Sequence, residues 1–279
     1  MGFTAIPAAL AAAAVLAIAA PAGAGAGTAG PAPAPRASAI IGLRLRAMPT
    51  GRVTFGRDGQ GQLTVHAVVS GLTPGSSHDV DLTIPGRSGL VRFSPLTAAG
   101  TGRADATLTS MFTGTLRHGS RLLIRLGQGS GFAGKAIAQT GRLAGPAHGR
   151  HRLIAVEVGP DGRNWGTPRG QAILSYNAAH HTLTVAVQAS GLTPGRHAAH
   201  IHLGSCRSQG AIKYSLGDLV ADRHGAILPA IRVFRNVTAP VPAHGWYLNI
   251  HQGNMNTIVS NGKPTIFFRP LLCADIRGR

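Results

Sequence analysis

A chain of 279 residues with 13% charged and 5% aromatic side chains and a net charge of +18 is long enough for one large or two modest domains, each with its own core. Abundant Gly and Pro among repeated alternating apolar runs argue against a helical bundle and for an all-β chain. The basic residues, nearly all arginine, are spread evenly along the chain, which excludes a basic tail and, with no recognition motif, argues against nucleic acid as partner; a field that steers small anions or meets anionic cell-surface polymers is compatible with it.

Residues 1–26 form an apolar, alanine-rich run ending in Ala22-Gly-Ala24 and Ala24-Gly-Ala26, the small-x-small pattern of a secretory signal peptide, although its start lacks Lys or Arg. No other run approaches the length of a membrane span. Residues 27–38, with Pro31-Ala-Pro-Ala-Pro35, read as a stiff, disordered spacer. An exported protein of the cell envelope or periplasm, from a bacterial source, is the expectation.

From residue 39 on, one unit is written twice. Gly71-Leu-Thr-Pro-Gly75 recurs 120 residues later as Gly191-Leu-Thr-Pro-Gly195. The strand-like Gln62–Ser70 answers Thr182–Ser190, and Arg121-Leu-Leu-Ile-Arg125 answers Tyr247-Leu-Asn-Ile-His251. Ile40-Ile-Gly-Leu-Arg-Leu45 and Leu153-Ile-Ala-Val-Glu-Val158 each read as the first strand of a copy. A period this long is domain duplication rather than a solenoid. The copies are assigned to 39–146 and 150–279, joined by the turn-rich Gly145-Pro-Ala-His-Gly-Arg150.

The second copy carries the chemistry. After the turn at Pro194-Gly195, an extended His200-Ile201-His202 places both imidazoles on one strand face while Ile201 enters the core. Side-by-side imidazoles suit copper or zinc before calcium or magnesium. His197, Cys206 and, farther on, His251 and Cys273 complete the set. At an offset of 120 the first copy has Ser77, Val80 and Leu82 opposite His197, His200 and His202, and Arg125 opposite His251, so it offers a metal nothing. Two cysteines in an exported chain suit a bridge; metal-bound thiolates are the alternative.

Gly191-Leu-Thr-Pro-Gly-Arg-His-Ala-Ala-His-Ile-His202, Gly217-Asp-Leu-Val-Ala-Asp-Arg-His-Gly225, Ile250-His251 and Leu272-Cys273-Ala274 together resemble the copper/zinc superoxide dismutase superfamily and, within it, the shorter chordin-type (CHRD) domains, over about 150–279. The resemblance implies two tandem Greek-key β-sandwiches, the second closed by a Cys206–Cys273 disulfide. It makes His200, His202 and His251 the ligands of one copper, His197 a buried structural histidine, and Asp218 the match of the family's zinc aspartate. Arg269 lies near the position of an anion-guiding arginine. Zinc itself is not expected, because Arg207–Leu216 has no histidine and one carboxylate cannot make the site; Asp218 is read as shaping a turn. The bridging histidine is missing for the same reason.

Two function classes follow. One is an exported copper protein of superoxide dismutase type, with superoxide or another small anion as substrate. The other is a non-catalytic extracellular CHRD-type binding or structural module, with copper carriage by the same ligands as a variant.

Overall fold

A computed structural model describes residues 38–127, 135–144, 149–159 and 163–278; the expected leader and most of the expected spacer lie outside them. The fold is all-β: two eight-stranded antiparallel sheets, each curled on itself into a sandwich. Sixteen strands build them: β1 (Ala39–Ala47), β2 (Thr50–Arg57), β3 (Leu63–Ser70), β4 (Val80–Thr83), β5 (Val91–Arg92), β6 (Arg103–Thr109), β7 (Arg121–Arg125), β8 (Ala136–Thr140), β9 (Gly149–Ala155), β10 (Arg169–Asn177), β11 (Thr182–Ser190), β12 (Gly195–Ser205), β13 (Ser208–Ala221), β14 (Ile227–Phe234), β15 (Trp246–His251) and β16 (Pro270–Ile276).

The first sheet runs β5-β4-β7-β8-β9-β2-β3-β6 and the second β13-β12-β15-β16-β1-β10-β11-β14. The two orders correspond strand for strand, with one exchange. β1, first in the chain, sits in the second sheet between β10 and β16. β9, the first strand of the second half, sits in the first sheet between β2 and β8. The chain-order assignment of 39–47 to the first copy, and of the segment from 150 to the second, is corrected at these two strands.

Only Met48-Pro49 separates β1 from β2, and across it the chain passes from the second sheet to the first. The alternation of each exchanged strand fits the core it joins. Ile41, Leu43 and Leu45 enter the second core beside Leu174, Val185 and Ile201, whereas Leu153 of β9 enters the first beside Val53 and Val65.

Cys206 and Cys273, 67 positions apart in sequence, form a disulfide with Cα atoms 5.9 Å apart. Closing a loop of that length stabilises by about 4 kcal/mol in the chain-entropy model. The bridge joins the tip of β12 to β16, and Met48 and Tyr247 pack against it.

Candidate metal centre

β12 and β15 are hydrogen-bonded neighbours, with His200 opposite Asn249 and His202 opposite Tyr247. Ala199, Ile201, Leu248 and Ile250 point into the second core, so His200, His202, Tyr247, Asn249 and His251 occupy the other sheet face. That face is not open to water: the three histidines are at most 1% exposed. Among the described residues, the group of His, Cys, Asp or Glu side chains able to hold a metal ion is His200, His202 and His251, whose ligating atoms lie within 4.8 Å of one another.

Neighbouring carbonyls set the direction of two rings. His202 Nδ1 donates to Gly210 O at 2.9 Å and His251 Nδ1 to Phe268 O at 2.6 Å. A donating Nδ1 leaves each Nε2 as a lone-pair donor for a metal. His251 Nε2 lies 3.1 Å from His200 Nδ1. His202 is stacked on Tyr247 at 5.0 Å between ring centroids, and His251 is tilted against Phe268 at 4.6 Å. His200 Nε2 and His202 Nε2 are buried with no hydrogen-bond partner.

Burial holds the cluster neutral. It lowers the pKa of His200 to about 4, helped by the charge of His202 and opposed by Asp218. Burial also lowers His202, against the Gly210 carbonyl and the Asn249 amide, and lowers His251 well below the ordinary range, against the Phe268 carbonyl. Below a pH of about 6.5 the unfolded chain takes up protons that the folded chain refuses. The stability these histidines contribute is thus complete above that pH and lost as pH falls toward about 4, where His200 protonates. The slope is about 1.4 kcal/mol per pH unit for each group. Urea unfolding of the metal-free full chain at pH 7.5 and 4.5 is expected to show the loss, with a shallower fall in His200→Gln.

The remaining sequence-derived residues fall around this cluster. His197 is buried, with Nδ1 on His251 O at 3.0 Å and Nε2 on Thr193 O at 2.8 Å, which ties the turn before β12 to the backbone of His251. Asp218 accepts from Met255 N at 2.8 Å and lies 3.8 Å from Arg196; it holds the 253–257 turn and stands outside the metal group. Asp222 accepts from the backbone of His224 and Ala226. Arg269 is 1% exposed and donates to Glu157 Oε2 at 2.7 Å and Gln252 Oε1 at 3.2 Å. A guide for anions must face solvent, and this guanidinium does not. That reading of Arg269 is corrected: it joins the segment after β9 to the strand before the disulfide.

The repeat register is corrected as well. Val80 pairs with Ile124 as Ala199 pairs with Ile250, so the counterparts of His197, His200 and His202 are His78, Asp81 and Thr83. One residue fewer between the Gly-Leu-Thr-Pro-Gly turn and the strand in the second sandwich shifts the offset from 120 to 119. His78 repeats the His197 arrangement, with Nδ1 on Arg125 O at 2.9 Å. Where the second sandwich sets His200 against His251, the first forms the Asp81–Arg125 ion pair.

The first sandwich also grips both segments whose carbonyls orient the rings. Gln209, beside Gly210, donates through Nε2 to Leu72 O at 2.9 Å and through its backbone to Thr101 O at 3.1 Å. Ile266, two residues before Phe268, packs against the first core and accepts from Thr73 Oγ1 at 3.3 Å. Sequence reasoning missed these contacts, Glu157 and Asn249. Of them only Asn249 left a signal, standing two residues before His251 on one strand face.

No curated protein matches the chain. Over residues 155–257, which carry all three histidines but end before Arg269 and Cys273, the chain is similar to the family described as the CHRD domain.

Proposed function

We propose that the second sandwich is a copper-holding module of an extracytoplasmic protein, with His200, His202 and His251 as the ligands. The observation that carries this reading is the convergence of three buried imidazoles with two unpartnered Nε2 atoms. An orphaned buried ring nitrogen costs about 1–3 kcal/mol unless something binds it. An all-imidazole donor set suits copper in either oxidation state. Asp218, the match of a zinc aspartate, is engaged elsewhere. The disulfide and the CHRD similarity support an extracellular module. Among the described residues no helix is long and apolar enough to cross a membrane. We read the two sandwiches as copies of one unit, 39–146 and 150–279 in chain order, that have traded first strands.

When bound, copper supplies one-electron transfer toward a small anion such as superoxide. The protein's own groups favour holding over turnover. The imidazoles are sealed from solvent, and Arg269 is committed to Glu157. A copper-loaded full chain is expected to remove superoxide no faster than His251→Ala with equal copper; turnover far above that control makes the module an enzyme of superoxide dismutase type.

The first sandwich acts as a brace in this scheme. Gln209→Ala removes one hydrogen bond holding the Gly210 segment, worth about 0.5–1.5 kcal/mol. Copper affinity is expected to fall roughly two- to tenfold by the same measure, with stoichiometry unchanged. Unchanged affinity in a chelator competition contradicts the brace.

A further inference from the structure

Asn249 shares the site face of β15 with Tyr247 and His251 and lies directly across from His200 on β12. It is fully buried, and neither its Oδ1 nor its Nδ2 has a hydrogen-bond partner. The amide lies beside His202 but makes no hydrogen bond of normal geometry with it. An amide with both polar atoms orphaned is rare in a folded interior, because each lost partner costs about 1–3 kcal/mol. A core position on β15 with no polar task would hold an aliphatic residue, as Leu248 and Ile250 do on the opposite face. The two unpartnered histidine nitrogens of the same face place the amide among groups that await the same occupant.

We propose that Asn249 is the fourth donor of the centre, its amide oxygen completing the coordination of the metal held by His200, His202 and His251. This rests on the copper reading above and adds the residue that tunes it. An amide oxygen is a harder donor than imidazole, so it favours the oxidised over the reduced ion. Replacing it by an aliphatic group of similar size therefore raises the reduction potential and spares Cu(I) binding.

The test uses the full-length chain with copper as the only probe. Cu(II) and Cu(I) affinities, the Cu(II) electron paramagnetic resonance spectrum and the reduction potential are measured for the wild type, Asn249→Leu and Asn249→Asp. Asn249→Leu is expected to lose about tenfold in Cu(II) affinity relative to Cu(I), equivalent to a potential about 59 mV higher, with an altered spectrum. Asn249→Asp keeps an oxygen donor and is expected to bind Cu(II) at least as tightly as the wild type. A wild-type spectrum and an unchanged Cu(II)/Cu(I) ratio in Asn249→Leu overturn the inference while leaving the three-histidine site standing. If Asn249→Leu does not fold, weaker Cu(II) binding by Asn249→Asp overturns it instead. A wild type that binds no copper through the three histidines overturns both readings.

Discussion

Deleting residues 1–48 is expected to abolish cooperative folding of the sandwich that carries the histidines, although every histidine and both cysteines remain. β1 makes seven residue pairs with β10 and two with β16, and it fills the middle of the second sheet. Its Ile41, Leu43 and Leu45 are at most 9% exposed. Burying three such side chains is worth roughly 1.5–3 kcal/mol each. The sum rivals the roughly 5–15 kcal/mol by which a domain is stable, before the sheet hydrogen bonds are counted. Leu43→Asp, which puts a carboxylate into that core, is expected to act in the same direction within the intact chain. Near-ultraviolet circular dichroism and urea unfolding read both. A fragment of residues 149–279 that unfolds cooperatively with full near-ultraviolet signal contradicts this. It means that β9 can take the place of β1, so the exchange is dispensable.

Arg269→Ala is the second large effect, expected to lower stability by about 3–5 kcal/mol. The guanidinium and the Glu157 carboxylate are both sealed from solvent, at 1% and 0% exposure. Removing one partner leaves an uncompensated charge in a low-dielectric interior, and that penalty, more than any lost attraction, sets the magnitude. The pair is not fully satisfied even in the wild type, since Glu157 Oε1 and Arg269 Nη1 lack hydrogen-bond partners. Replacing both residues, Glu157→Leu with Arg269→Met, is therefore expected to cost much less than the sum of the single changes. A loss below about 1 kcal/mol in Arg269→Ala, as for a solvated pair, contradicts the buried geometry. The same variant separates a structural arginine from an anion guide: the first lowers the unfolding midpoint, and the second lowers only turnover.

Much of this was legible in the chain itself. The alternation in Thr182–Ser190 and the spacing His200-Ile-His202 follow from a strand period of two, so the fold class and the shared face of the imidazoles were readable. The family resemblance supplied His251 as their companion, and the structure brings it within hydrogen-bond distance of His200. The exchange of β1 and β9 is not legible in the sequence, because both are alternating strands that fit either sheet and no local pattern says which sheet each joins. The one-residue slip in the repeat register hid the match of Asp81–Arg125 to His200–His251. Arg269 looked available because its fate depends on Glu157, 112 residues away in sequence, a pairing that no local pattern encodes. Asn249 is hard to recognise in the sequence because an asparagine on a strand reads as a polar surface residue until its burial is known.

Chelator-competed copper titration of the metal-free full chain, beside His200→Ala, His202→Ala and His251→Ala, bears most directly on the metal centre. The expected result is one copper per wild-type chain, with affinity at least about tenfold lower in each variant, since even the loss of an outer hydrogen bond to a ligand costs that much. Wild-type copper binding no tighter than in all three variants contradicts a metal centre at these histidines and leaves the second sandwich as a binding or structural module.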